Sequence, residues 1–151
     1  MAWAIRQGVA ADAAVIADFN RLMALETEGK ALDPVVVAAG VAAALADPHK
    51  GLYFLAEEGG NVLGQAMITP EWSDWRNGWM WWFQSVYVRR QARRRGVFRG
   101  LYEHVHQAAR AAQDVIGLRL YVEQHNRAAQ ETYVRLGMVR ANYLVFERCP
   151  L

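Results

Sequence analysis

A strand-like segment, an arginine-rich turn and a helix-like segment follow one another in the middle of this chain. Residues 79–88 are aromatic and β-branched at their ends, which favours a strand. Residues 97–113 repeat apolar side chains at helical spacing, and Gly96 stands between the two segments. A strand that leads directly into a helix indicates a layered fold in which helices cover a sheet.

The other segments extend this pattern along the chain. Strand-like segments lie at 3–6, 52–56, 62–69, 118–122 and 143–149, and helix-like segments lie at 11–25, 34–46 and 127–136. Residues 57–61 predict a hairpin turn, and the polar, aromatic residues 71–78 predict a loop. Asp33 and Asn126 are suited to cap helices, and Gly137 is suited to a left-handed helix end. We therefore expect an α/β (α+β) fold, with helices covering a mostly antiparallel sheet.

Composition limits the class of protein. The chain has 151 residues, of which 54% are hydrophobic and 21% charged, so we expect residues 1–151 to form a single domain. The longest uncharged runs are too short to span a bilayer, and the first six residues do not resemble a signal peptide, so we expect a cytoplasmic protein that does not bind membranes. The single cysteine, Cys149, excludes an internal disulfide. His104 and His106 lack partners at ligand spacing, so we expect no metal site.

Basic charge is concentrated in one short segment. Residues 89–99 contain six of the seventeen basic residues and no acidic residue, while the rest of the chain has eleven basic and fifteen acidic residues. Nucleic-acid-binding proteins usually spread their cations over a surface that can follow a phosphate backbone. This cluster is better suited to a compact polyanion, although a solvated basic loop is the alternative for such a run.

The turn between the strand and the helix has the properties of an anion-binding loop. The first N–H groups of a helix lack acceptors within the helix and carry partial positive charge. Gly96 allows the backbone to approach a ligand closely, and arginine can add two-pronged contacts to phosphate. A pyrophosphate fits this combination. Neither the Walker pattern nor the dinucleotide-binding fingerprint is present.

This turn resembles the acetyl-CoA site of the GNAT N-acetyltransferase superfamily. The family signature is Arg or Gln, two residues, Gly, one residue, then Gly or Ala. Arg93 and Gly96 match it, whereas Phe98 stands where a small residue is usual. Val86 and Val88 match the apolar ending of the preceding strand.

A second motif of the family follows at the expected separation. Residues 121–138 resemble its later strand, asparagine, helix, tyrosine and Leu-Gly-Phe sequence. Asn126 and Tyr133 match the asparagine and tyrosine, and Met138 replaces the phenylalanine. The resemblance covers nearly the whole chain in element order, and it implies a sheet of about six to seven strands flanked by about four helices.

The resemblance implies a role for each matched residue. Backbone groups of the strand end would pair with the pantetheine arm of acetyl-CoA, the acyl donor, and the following turn would hold the pyrophosphate. The cofactor-binding residues implied are Val86, Tyr87, Val88, Arg93, Arg94, Arg95, Gly96, Val97, Phe98, Arg99 and Asn126. Tyr133 would be the catalytic acid that protonates the departing thiolate, although a purely structural core position is the alternative.

The acceptor is predicted to be a small-molecule primary amine, although a peptide or protein N-terminus is an alternative. Trp72 and Trp75 lie in the predicted loop before the cofactor strand and, with Gln84, are the predicted substrate-binding residues. Glu71 or Asp74 beside aromatic faces would favour a cation. The general base stays open among Glu71, Glu123 and a water held by Gln84 or Ser85.

Two other functions remain as alternatives. Phe98 at the pyrophosphate loop motivates a non-catalytic domain that binds or senses CoA. The arginines and tryptophans motivate a module that binds RNA or DNA, which we do not favour because the basic segment is short. The apolar aromatic surface and the habit of the family also make a homodimer an open alternative.

Overall fold

The computed structural model of the chain describes residues 2–151, which divide into two compact units between Tyr121 and Val122. The first unit contains strands β1 (Ala4–Gln7), β2 (Leu52–Glu58), β3 (Asn61–Ser73), β4 (Gly78–Val88) and β5 (Val115–Leu120) and helices α1 (Ala13–Glu28), α2 (Pro34–Ala46) and α3 (Val97–Ala111). The second unit contains helix α4 (Arg127–Arg135).

The five strands form one mixed sheet in the order β1-β2-β3-β4-β5. Neighbours are antiparallel from β1 to β4, and β5 is parallel to β4. A parallel pair needs a crossover connection, which α3 supplies. The prediction of a mixed, mostly antiparallel sheet covered by helices is therefore confirmed.

The prediction of six to seven strands is wrong. Within residues 2–151, the segment predicted as a strand at 143–149 has no helix or strand, and its side chains are exposed, with Phe146 at 91%. Strand propensity largely reflects packing against neighbouring strands and a covered face. The segment has suitable residue types, but in the part of the chain described it pairs with no strand.

Half of the predicted loop at 71–78 is strand. Strand β3 continues to Ser73, and the connection to β4 is a tight turn at residues 74–77 in which Asn77 has a φ of 49°. Trp72 and Trp79 are cross-strand partners with ring centroids 5.0 Å apart, nearly edge to face. Such cross-strand aromatic pairs stabilise a hairpin and outweigh the polar residues around them.

The local signals at the helix ends are confirmed. The Asp33 side chain accepts a hydrogen bond of 2.9 Å from the Val35 N–H at the start of α2. The Asn126 side chain accepts one of 3.2 Å from the Ala129 N–H at the start of α4. Gly137, just beyond α4, has a φ of 93°.

The helices of the first unit cover both faces of the sheet. Tyr53 and Leu55 of β2 belong to a buried cluster with Phe19 of α1. Phe54, between them, packs instead on His104 of α3, with ring centroids 5.2 Å apart. Because successive side chains of a strand point to opposite faces, α1 and α3 lie on opposite sides of the sheet. This arrangement places the end of β4 between the two helix layers.

Candidate active site

The last part of β4 has a strand neighbour on one side only. Pairing with β5 ends at Phe83 and Leu120, whereas pairing with β3 continues to Val88 and Gly64. In the part of the chain described, residues 84–88 of β4 therefore have an unpaired edge towards the β5 side. A strand edge presents N–H and C=O groups to which an extended ligand can add. Val86, Tyr87 and Val88, predicted to bind the donor, all lie on this segment.

A bulge interrupts β4 at the start of this segment. Gln65 pairs with Tyr87 and Met67 pairs with Gln84, so two residues of β4, Ser85 and Val86, oppose a single residue of β3. Ser85 has a φ of 48°, a left-handed conformation that costs a non-glycine residue energy. Bulges redirect the local backbone and break the regular alternation of side chains that the sequence pattern predicts.

A buried glutamine holds the bulge. The Gln65 side chain is fully buried, and its Nε2 donates to the Ser85 carbonyl at 3.0 Å and to Asn20 Oδ1 at 2.8 Å. Burial raises the pKa of the hydroxyl of Tyr53, a residue only 4% exposed, and the nearby Asn20 side chain opposes this shift. The Gln65 Oε1 atom has no hydrogen-bond partner within residues 2–151. A chain of polar groups thus connects α1 and β2 to the strained backbone of β4.

The sequence analysis did not identify Asn20, Tyr53 or Gln65. They come from three separate elements and form no local motif. One signal was available, because Gln65 is a polar residue inside the otherwise apolar run of 62–68. A buried polar side chain needs hydrogen-bond partners, which makes such a position informative.

The predicted anion-binding turn connects β4 to α3. Arg94 and Gly96 have φ values of 62° and 76°, and α3 begins at Val97. The N–H of Gly100 donates to the Gly96 carbonyl at 2.9 Å, which is the first hydrogen bond of α3. The N–H groups that come before Gly100 in the first turn therefore have no acceptor within the helix. A side chain at Gly96 would meet open space, which leaves room for a ligand against the backbone. A Cβ at Gly100 would instead overlap the Trp3 ring, so that glycine serves packing.

Most of the six arginines are already paired with protein groups. Arg93 Nη2 contacts Glu26 Oε2 at 2.7 Å, Arg95 Nη2 contacts Glu58 Oε1 at 2.7 Å, and Arg99 Nε contacts Glu103 Oε1 at 2.8 Å. The other pairings are Arg89 with the Val62 carbonyl at 2.7 Å and Arg90 with Glu26 at 3.2 Å. The structure describes all six arginines. Among them, Arg94 is the one whose guanidinium makes no hydrogen bond or ion pair. The main chain and Arg94 are therefore the groups left to meet an anion.

Glu26, at the end of α1, connects that helix to the anion-binding turn. Its carboxylate accepts hydrogen bonds from Tyr87 Oη at 3.0 Å and from Arg93 and Arg90. The bond from Arg93 is the main cause that lowers the pKa of Glu26. Arg93 Nε also donates to the Val88 carbonyl at 2.9 Å, so this arginine orients the end of β4.

Phe98, the departure from the family signature, packs along its own helix. It is partly buried, and its ring lies 6.5 Å from the ring of Tyr102, one helical turn further on. The side chain contacts α3 itself, while the open space at Gly96 remains.

A cavity of about 370 Å³ lies beside the bulge. It is bounded by α1, the residues that follow it, α2, Tyr53 of β2 and Ser85 of β4. Trp72 and Trp75 do not line it, and lie at the far end of the β3–β4 hairpin with 48% and 87% of their surface exposed. Gln84 is partly buried and makes a weak contact with Thr69 Oγ1 at 3.5 Å. The three residues predicted to bind the acceptor are thus not brought together around this cavity.

The second unit carries the other two predicted site residues. Asn126 caps α4, and Tyr133 lies on the same helix. Burial raises the pKa of the Tyr133 hydroxyl, so the hydroxyl stays protonated at neutral pH. Within residues 2–151, no cluster of side chains is suited to hold a metal ion, and no helix is both long and apolar enough to cross a membrane.

Comparisons with known proteins identify the family. Residues 16–138 match the family model of the acetyltransferase (GNAT) family. The crystal structure of a "possible acetyltransferase" from Clostridium difficile 630 is 40% identical, with a TM-score of 0.93 over 100% of this chain and 99% of that chain. No curated protein sequence matches this chain.

More distant solved structures share the fold. A "predicted acetyltransferase with acetyl-CoA" from Clostridium acetobutylicum is 14% identical, with a TM-score of 0.77 over 97% of this chain and 96% of that chain. An aminoglycoside acetyltransferase from an uncultured soil metagenomic sample is 16% identical, with a TM-score of 0.74 over 98% of both chains. The match to the family model and the 40% identical relative show that this chain belongs to the GNAT acetyltransferase family.

Proposed function

We propose that this chain is an acetyl-CoA-dependent N-acetyltransferase, a single domain of residues 1–151 that moves an acetyl group directly to a primary amine of a small molecule. The observation that carries the proposal is the unpaired edge of β4 at residues 84–88, followed directly by the glycine turn and the start of α3. The edge suits an extended arm with amide groups, and the turn suits a diphosphate. Coenzyme A contains these two features in this order.

Donor binding is proposed to depend mainly on backbone groups. Val86, Tyr87 and Val88 offer strand-edge groups to the pantetheine arm, and the N–H groups from Arg94 to Arg99 surround the diphosphate. Arg94 adds a guanidinium that no protein group pairs with, whereas the other five arginines of the segment each contact a carboxylate or a main-chain carbonyl. Phe98 is compatible with this role because its ring packs towards Tyr102.

The chemical step is nucleophilic attack of an amine on the thioester carbonyl. A C–N bond forms, the C–S bond breaks, the amine loses a proton, and the thiolate gains one. The bulge at Ser85 redirects the backbone next to the Val86 N–H, and we propose that this N–H stabilises the negative charge that develops on the carbonyl oxygen. Tyr133 is the proposed acid, since its raised pKa keeps the proton available for the departing sulfur.

Relatives support this assignment of donor and acceptor. The fold neighbour from Clostridium acetobutylicum is described with acetyl-CoA, and another neighbour acetylates aminoglycosides, which are small amines. Three carboxylates, Glu26, Glu58 and Glu103, also offset half of the positive charge of the six arginines, which weakens the attraction for a nucleic acid.

The experiment that tests the proposal measures donor binding and turnover separately. Calorimetry with acetyl-CoA should show binding, and thiol release from acetyl-CoA should accelerate when a suitable small amine is added. Binding without turnover across a broad amine panel would favour the alternative of a CoA-sensing domain. No heat with millimolar coenzyme A would refute the donor site.

A further inference from the structure

The cavity beside the bulge has a polar floor that the donor site does not use. Tyr53 and Asn20 line it, and Ser85 forms the side next to β4. Tyr53 is 4% exposed, and the Oδ1 atom of Asn20 accepts a hydrogen bond from Gln65 Nε2 at 2.8 Å. The lone pairs of a phenol oxygen can accept hydrogen bonds. The floor can therefore accept an N–H from a bound amine.

The opposite end of the cavity is negative. Glu28 lines it, and no lysine or arginine is among the lining residues described. Glu28 is also the last residue of α1, whose C-terminal carbonyls carry partial negative charge. A cation is the ligand group that this end favours.

Much of the wall between the two ends is apolar. Met23 of α1 and Val37 and Val41 of α2 face the space, and Gly40 adds no side chain. Methylene groups are stabilised against such walls, whereas a ligand rich in hydroxyl groups would lose hydrogen bonds to water there. The volume of about 370 Å³ lies at the lower end of the range of small-molecule sites, roughly 300–1,000 Å³.

We propose that this cavity binds a small aliphatic diamine, with one ammonium group at Glu28 and the other amine at Tyr53 and Ser85. The inference rests on the proposed function in one respect, namely that the amine at Ser85 is the one acetylated. That nitrogen forms the C–N bond as the C–S bond of the donor breaks; its proton passes to water, and the departing thiolate takes up a proton and leaves as free coenzyme A, while the distal ammonium at Glu28 keeps its charge. The polar floor orients the reacting nitrogen, and Glu28 selects for the second charge.

The test compares 1,4-diaminobutane with butylamine, which lacks the second charge. In the wild-type chain we expect kcat/KM to be about fivefold higher for the diamine. Glu28→Gln should remove most of this preference by raising KM for the diamine, while kcat/KM for butylamine stays within about twofold. Glu28 is exposed, and about 1 kcal/mol, the upper end for an exposed ion pair, corresponds to that fivefold factor. Asp18→Asn removes an exposed charge from the same helix without touching the cavity and should change neither value.

Equal rates with both amines, or an equal loss with both in Glu28→Gln, would overturn the inference while leaving the acetyltransferase proposal intact. Calorimetric titration of 1,4-diaminobutane into the chain tests the cavity independently of turnover. Binding that weakens in Glu28→Gln and in Tyr53→Phe, but not in Asp18→Asn, supports the site even if acetyl-CoA is not consumed. No diamine binding to the wild-type chain, with or without coenzyme A, refutes it.

Discussion

Replacing Gln65 with methionine tests whether the buried amide holds the bulge of β4. Methionine is unbranched and of similar length, so the change removes the amide without a large change in shape. The Gln65 Nε2 atom donates to Asn20 Oδ1 and to the Ser85 carbonyl, whereas its Oε1 atom has no partner within residues 2–151. The substitution therefore deletes two hydrogen bonds and one buried unpaired oxygen.

The expected loss of stability follows from these three atoms. A buried acceptor left without a donor costs about 1–3 kcal/mol, and two acceptors are affected. Removing the unpaired Oε1 atom of Gln65 eliminates the cost of one such group, which is also about 1–3 kcal/mol. The net destabilisation is then about 1–3 kcal/mol, which for a chain of this length corresponds to a decrease in Tm of about 2–12 °C.

Urea denaturation measures the free energy of unfolding, and steady-state kinetics measures how a change at the bulge affects kcat. We expect Gln65→Met to lower the midpoint with an unchanged m-value. It should also lower kcat, because the Ser85–Val86 peptide loses the contact that holds its strained conformation. The affinity for acetyl-CoA should fall by a smaller factor than kcat, because the glycine turn and the start of α3 lie beyond the bulge.

Gln84→Met is the matched control. Gln84 is also a glutamine of the same sheet, but it is partly exposed and makes only a long, weak contact of 3.5 Å with Thr69 Oγ1. Its replacement should change stability by less than about 0.5 kcal/mol. Equal stability of Gln65→Met and the wild-type chain, or equal losses in both variants, would refute the argument that the buried amide supports the bulge.

Three further substitutions test other parts of the molecule. Gly96→Ala forces an alanine to a φ of 76°, which costs about 1–2 kcal/mol of stability, and it should weaken coenzyme A binding at least tenfold in calorimetry. Gly137→Ala is the control, because Gly137 lies beyond α4 with a φ of 93°, and this variant should lose similar stability but no affinity. Tyr133→Phe should reduce kcat at least tenfold with acetyl-CoA affinity unchanged, and on the alkaline side the wild-type rate should fall only above the raised pKa of this tyrosine; a fully active Tyr133→Phe would exclude the proposed acid. The hydrogen bonds from Arg6 lower the pKa of Asp12 in the folded state. Their stabilisation is therefore present above the unfolded pKa of about 3.9 and is lost as the pH falls through the lower folded value. Asp12→Asn should flatten this acid dependence of the free energy of unfolding in urea titrations from pH 6 to 3, and an unchanged slope would contradict it.

Local interactions made the anion-binding turn predictable. A helix start, a glycine in a left-handed conformation and a capping side chain each depend on residues within one turn of the chain, as Gly96 and Asp33 illustrate. The order of strands and helices was equally readable, because apolar periodicity is a local property. These features also carried the resemblance to the family.

Long-range pairing made the rest of the site unpredictable. The bond between Gln65 and Asn20 joins residues 45 apart, and that between Arg93 and Glu26 joins residues 67 apart. The sequence shows six arginines as one basic segment, but only the fold reveals which carboxylates neutralise them. Likewise, only the fold shows that the predicted acceptor residues Trp72 and Trp75 lie at the far end of the β3–β4 hairpin and do not line the cavity beside the bulge.

The amino-acid sequence by itself thus determined the family, the element order and the turn suited to a diphosphate, because each depends on short-range pattern. The tertiary structure decided where the sheet ends, where β4 bulges and which buried polar groups line the cavity. A segment such as 143–149 has strand-forming side chains, yet a strand exists only where another strand accepts its hydrogen bonds. Pairings between distant segments are selected by the packing of the whole fold, which no local pattern encodes.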